Sequence, residues 1–127
     1  FQTFDSNKLQ IINFLKKYPI SLDDLGIIKD NFKDIEKFYK NYNSKYDVII
    51  SSGGSSFSSG DYTSAYLKKN TKILFQYLRI QPGRPIIFAK QKDQHIFSLP
   101  GNPLAVMVNL ILIISKFFDP RWQDRFG

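Results

Sequence analysis

Two short glycine-bearing stretches carry the clearest chemical signal in this chain. Ser51-Ser52-Gly53-Gly54-Ser55-Ser56 runs on to Gly60-Asp61-Tyr62, and Leu99-Pro100-Gly101-Asn102-Pro103 lies further along. Each follows an apolar run and leads into helix-like sequence. A turn of this kind gathers backbone N–H groups at the positive end of a helix, at the carboxyl edge of a sheet, where anions bind. An anionic, phosphorylated ligand is the first expectation. Asp30 and Asp61 each come just after a strand or strand-end loop, so both carboxylates can lie on that edge. Two carboxylates joined by phosphate oxygens and water suit Mg²⁺, although either residue could equally be a helix cap. Around the rigid Pro82-Gly83 turn, Arg79 and Arg84 offer planar donor forks for oxyanions, with a merely solvated surface role as the alternative. Pro100 and Pro103 hold Gly101-Asn102 where a backbone can approach a ligand closely, or where the chain simply turns.

Other chemistries are excluded or left without support. Cysteine is absent, so there is no disulfide framework and no thiolate nucleophile or ligand. This fits a cytoplasmic protein. His95 is the only histidine and sits in a strand-like run, where an exposed or edge position is expected rather than a triad or a metal site. The serine-rich loop lacks Gly-x-Ser-x-Gly and lacks the lysine of a P-loop.

The elements that must position these residues follow from periodicity. Apolar spacing predicts helices over 6–17, 32–42, 62–69 and 103–118, the last ended by Asp119-Pro120. Val48-Ile49-Ile50 reads as a strand of a parallel sheet covered on both faces. Leu25-Gly26-Ile27-Ile28 is a shorter strand candidate, and 73–80, 85–89 and 95–99 follow as extended segments, the last two joined by a polar turn. The expected architecture is a three-layer α/β/α sandwich with a mostly parallel sheet and a β-hairpin in its carboxyl-terminal half.

With 127 residues, 43% of them hydrophobic, the chain can bury one core, so a single domain over 1–127 is expected. The formal charge of +7 is spread over scattered lysines. Diffuse charge favours anions in general, and without a clustered basic-aromatic patch no nucleic-acid partner is expected. The apolar run over 104–114 is about 11 residues, short of the roughly 20 that cross a bilayer, and predicts a buried element rather than a membrane span. Met107, Phe117 and Phe118 are expected to pack in the core. The start at Phe1, without an initiator Met, suggests a piece of a longer protein.

In series, Asp5-Ser6-Asn7, Gly26-Ile27-Ile28-Lys29-Asp30, Asp47-Val48-Ile49-Ile50-Ser51-Ser52-Gly53-Gly54, Asp61-Tyr62, Pro82-Gly83-Arg84-Pro85 and Leu99-Pro100-Gly101-Asn102-Pro103 resemble the MoeA family of molybdopterin molybdenumtransferases. The order and spacing agree through about Phe118. The resemblance implies the MogA-like molybdopterin-binding fold, shared with gephyrin and CinA. It also implies a cytoplasmic homodimeric transferase that inserts molybdate into adenylylated molybdopterin and releases AMP with Mg²⁺, working with a MogA-type adenylyltransferase. On that resemblance Asp30 and Asp61 match the catalytic, metal-binding aspartates. Gly53, Gly54 and Ser56 would line the phosphate loop, with Arg79, Arg84, Pro100, Gly101, Asn102 and Pro103 at the pterin and molybdate end. The family's loop reads Gly-Gly-Val-Ser-Val-Gly, followed by an acidic residue, where this chain has Gly53-Gly54-Ser55-Ser56-Phe57-Ser58-Ser59-Gly60. The family's first strand and its other domains fall outside this sequence, so the isolated chain is expected to be inactive. The alternatives are a non-catalytic nucleotide-binding or scaffold module of the same fold and a CinA-like pyridine-nucleotide hydrolase.

Overall fold

The computed structural model describes residues 3–29, 31–52, 62–75, 86–99 and 103–119. Helix α1 covers Thr3–Leu15 and α2 covers Phe32–Asn41; strand β1, Val48–Ser52, is followed by α3, Tyr62–Asn70. Strands β2, Lys72–Phe75, β3, Ile87–Gln91, and β4, Gln94–Leu99, come next. A continuous helical rod closes the described chain: α4, Pro103–Asn109, a π-helical turn over Leu110–Ile114, and α5, Ser115–Phe118.

The strand order is β1-β4-β3-β2. Alternation of side chains along the strands sends Phe88, Phe97 and Leu99 to one face and Ile49, Ile87, Ala89 and Ile96 to the other. Ile11 and Leu15 of α1, with Val106, Leu110 and Ile114 of the terminal rod, cover the first face. Ile35 and Tyr39 of α2, with Tyr66 and Leu67 of α3, cover the second. The three-layer α/β/α class is therefore as expected. The sheet is mixed rather than mostly parallel: β1 and β4 pair in parallel, while β4 with β3 and β3 with β2 are antiparallel. The short Lys92-Asp93 turn, with Lys92 at φ 54, leaves no room for a crossover and sets β3 and β4 antiparallel, and β2 then adds to the far side of β3 antiparallel in the register of Lys72 with Lys90 and Ile73 with Ala89.

Local chemistry explains where the helices begin and bend. The Asn31 side chain accepts a hydrogen bond from the Asp34 amide at 2.9 Å and donates to the Asp34 carboxylate at 2.8 Å, capping α2 reciprocally. In the rod, the Ser115 amide bonds to the Leu110 carbonyl five residues back, and the Ser115 hydroxyl donates to the Ile111 carbonyl. That extra bond accompanies the π turn. Asp119 is extended, as a residue before proline must be, and the rod stops there.

Three further expectations are corrected. Leu25-Gly26-Ile27-Ile28 forms no strand; residues 20–29 are irregular, and Gly26 sits at φ +88, where the chain kinks. The apolar run 104–114 is only half covered, because Leu104, Met107, Ile111 and Leu112 all face solvent while Val106, Leu110 and Ile114 face the sheet. A helix presents one stripe to a core, whatever its hydrophobicity. Nor does His95 lie at the edge: β4 is an inner strand, and the imidazole packs 5.1 Å from the Phe117 ring in a T-shaped pair. No helix among the described residues is long and apolar enough to cross a membrane.

Candidate functional site

Register fixes where the glycine-bearing stretches leave the sheet. Ser52, the last residue of β1, pairs with Leu99, the last residue of β4. Residues 53–61 and 100–102 therefore depart from adjacent strand ends, about 5 Å apart. The first connection opens α3 at Tyr62, and the second opens the terminal rod at Pro103. Neither helix has an acidic residue within its first turn, although Asp61 directly precedes Tyr62 in the sequence.

The antiparallel strands bring a third connection to the same edge. Ile87 pairs with Ser98, and Phe75 pairs with Phe88, so β2 ends and β3 begins beside the carboxyl end of β4. The intervening 76–85 stretch, which bears Arg79 and Arg84, leaves and re-enters the sheet there. A fourth arrives through α2. The Gln94 amide donates to the carbonyls of Tyr42 and Tyr46 at 2.8 and 3.0 Å, which ties the end of α2 to the amino end of β4. The amino end of α2, where Asn31 follows Asp30, therefore lies toward the carboxyl edge.

Described side chains line that edge. The Tyr39 ring is buried, stacked on Tyr66 at 5.4 Å between centroids, and its hydroxyl lies 3.4 Å from the Ser51 hydroxyl. Burial pushes the Tyr39 phenol up to about 12, so it is neutral and a competent donor at physiological pH. Thr63 and Ser64 are buried at the start of α3. A cavity of about 890 Å³ runs along β1, with Ser51, Ser52, Thr63 and Lys29 among its lining residues.

Asp30, Gly53, Gly54, Ser56, Asp61, Arg79, Arg84, Pro100, Gly101 and Asn102 lie outside the described residues; Pro103 opens the terminal rod. What the topology brings together is the set of connections that carry them. Sequence reasoning placed Ser51 in the first glycine-bearing stretch but missed Tyr39 as its partner. Tyr39 lies on the apolar face of α2 and reads as packing, and only the fold shows its hydroxyl meeting a strand end. Among the described residues no cluster of three or more His, Cys, Asp or Glu side chains could hold a metal. Asp30 and Asp61, on which the expectation of Mg²⁺ rests, lie outside the described residues.

Comparison with known proteins identifies the family and the fold. Residues 2–120 match the family model described as "Probable molybdopterin binding domain". The chain is 33% identical over 114 residues to the molybdopterin molybdenumtransferase of Haemophilus influenzae, covering 90% of this chain and 28% of that protein. It thus spans less than a third of that relative. The molybdopterin biosynthesis MoeA protein from Pyrococcus horikosii superposes with a TM-score of 0.64 at 25% identity, over 80% of this chain and 25% of that one. The MoaB molybdopterin biosynthesis enzyme from Thermus thermophilus shares the fold, with a TM-score of 0.71 at 17% identity, over 87% of this chain and 78% of that one.

Proposed function

The chain belongs to the family of molybdopterin-binding domains, and from that premise we propose that it is the pterin-binding domain of a molybdenum insertase, acting in molybdenum cofactor biosynthesis. Its substrates are adenylylated molybdopterin and molybdate, and its products are the molybdenum-loaded pterin and AMP. The observation that carries this reading is the paired ending of β1 and β4, Ser52 beside Leu99, which starts both glycine-bearing connections from one edge. The names of relatives such as the Haemophilus influenzae molybdenumtransferase support the same reaction class.

The protein's part is mostly positional. Backbone amides of Gly53, Gly54 and Ser56, with the positive end of α3, receive phosphate oxygens. Pro100, Gly101, Asn102 and Pro103 admit the pterin end close to the backbone at the head of the terminal rod. Arg79 and Arg84 bind oxyanions through paired N–H donors and offset charge that develops on phosphate as AMP leaves. Asp30 and Asp61 would hold a divalent cation, which would supply Lewis acidity when bound. Fixing oxyanion and dithiolene side by side converts their encounter into a unimolecular step.

Calorimetric titration of adenylylated molybdopterin, with and without Mg²⁺, into wild type and Asp61→Asn tests the reading, followed by an assay for AMP release on adding molybdate. Metal-dependent binding that weakens in the variant is expected. Binding indifferent to both the metal and Asp61 would sink the insertase reading and favour a scaffold role for the domain.

A further inference from the structure

On the face covered by α2 and α3, the core ends in a layer of hydroxyls. Ile49 of β1 pairs with Ile96 of β4, and both are buried with Tyr66 and Leu67. Two residues further along the same face the paired side chains are Ser51 and Ser98, one residue before both strands end. Ser98 is buried, and its other neighbour, Ile87 of β3, belongs to the same cluster. Tyr39 of α2 brings its phenol to this layer, and Thr63 at the head of α3 lines one cavity with Tyr39 and Ser51. Apolar side chains would pack there at less cost, since a buried hydroxyl is unfavourable unless it is bonded. The apolar pattern gives way where both glycine-bearing connections leave the sheet.

Burial decides the direction of the Tyr39–Ser51 contact. At 3.4 Å either oxygen could donate. The Tyr39 hydroxyl is closed off from water, and among the described residues Ser51 is its one hydrogen-bond partner. A buried phenol has to place its proton on an acceptor, and its oxygen, delocalised into the ring, accepts less well than it donates. Burial also pushes the phenol up to about 12, which keeps that proton in place. With Tyr39 donating, the Ser51 oxygen accepts on that side and its own proton turns away from Tyr39. Among the described residues nothing takes that proton. Ser51 is half-buried and two residues ahead of Gly53, so the open direction is toward the edge.

We propose that Ser51 donates a hydrogen bond to the phosphate of the ligand at this edge, and that Tyr39 is the positioning residue that aims the Ser51 hydroxyl at it. The inference rests on the anion-binding reading of the glycine-bearing connections, and it adds a neutral donor from the strand end and a residue of α2. No proton is transferred. Both hydroxyls stay neutral, and only the direction of the Ser51 donor is set. A serine hydroxyl left to itself samples three staggered positions, so fixing it in one is worth about threefold in affinity. The hydrogen bond itself, made to a charged acceptor, is worth about tenfold or more.

AMP, the nucleotide product of the proposed reaction, is the probe. Titrating it into the 127-residue chain, followed by amide shifts and by phosphorus NMR, compares wild type, Tyr39→Phe, Ser51→Ala and the double variant. Tyr39→Phe is expected to weaken binding about threefold and Ser51→Ala about tenfold. In the Ser51→Ala background, Tyr39→Phe should change affinity by less than about 1.5-fold, because its effect runs through Ser51. A residue that only supported the fold would weaken binding by the same factor in both backgrounds. The second pKa of the bound phosphate, ordinarily about 6, gives a readout that packing does not move. A donor to the dianion holds that value down, so it should rise in Tyr39→Phe. Equal factors in the two backgrounds, or an affinity and phosphate pKa unchanged by Tyr39→Phe, would overturn the inference and leave the insertase reading standing. A wild-type chain whose spectra ignore AMP would overturn both.

Discussion

Replacing Tyr39 with phenylalanine isolates one hydroxyl at the point where α2 meets the end of β1. The ring is 1% exposed and stacks on Tyr66, so the substitution keeps the packing and removes only the contact with Ser51 at 3.4 Å. At pH 8 the loss of one long, neutral hydrogen bond costs about 0.5–1.5 kcal/mol or less, since half-buried Ser51 can turn to water. The alkaline range is more discriminating. Burial raises the folded-state value of Tyr39 from 10.0 to about 12, so the folded protein resists losing that proton while the unfolded chain does not. The resulting stability is fully present below pH 10 and is lost as the pH rises through 12. Two units at about 1.36 kcal/mol each give a loss of roughly 2.7 kcal/mol, of which about 1.4 kcal/mol has gone by pH 11. Tyr39→Phe lacks this loss, whereas Tyr18, Tyr46 and Tyr66, whose values are also raised, titrate in both proteins and cancel. Urea denaturation of both proteins at half-unit steps from pH 8 to 11.5 measures the difference directly. A stability difference that stays flat across that range would show that the Tyr39 hydroxyl is not buried against β1.

Two other substitutions probe the scaffold. Asn31→Ala removes the reciprocal cap on α2 and should cost about 1 kcal/mol in urea denaturation, while Asn31→Ser, whose hydroxyl can still accept from the Asp34 amide, should retain most of that stability. Ile96, fully buried on an inner strand, should cost about 2–5 kcal/mol on truncation to alanine, and the same loss at exposed Ile111 should be under about 0.5 kcal/mol.

Much of this architecture is legible in the sequence because periodicity and chain punctuation agree. The α2 face of Phe32, Ile35, Phe38, Tyr39 and Tyr42 begins one residue after its cap and ends in a turn, and α2 falls within a residue of the expected span. Asp119-Pro120 marks the end of the terminal rod for an equally local reason. Expectation departs from structure where the deciding partner is remote in sequence. Nothing around Lys92 and Asp93 says that the sheet beyond the hairpin runs antiparallel, because strand direction is set by pairing. Leu104, Met107 and Ile111 are as apolar as Leu110 and Ile114, and only the position of the sheet separates the exposed stripe from the buried one. Leu25-Gly26-Ile27-Ile28 has the composition of a strand but lies across a gap from the nearest one. The candidate site was legible as four separate stretches. Their meeting at one edge needed the registers of Ser52 with Leu99, Ile87 with Ser98 and Phe75 with Phe88.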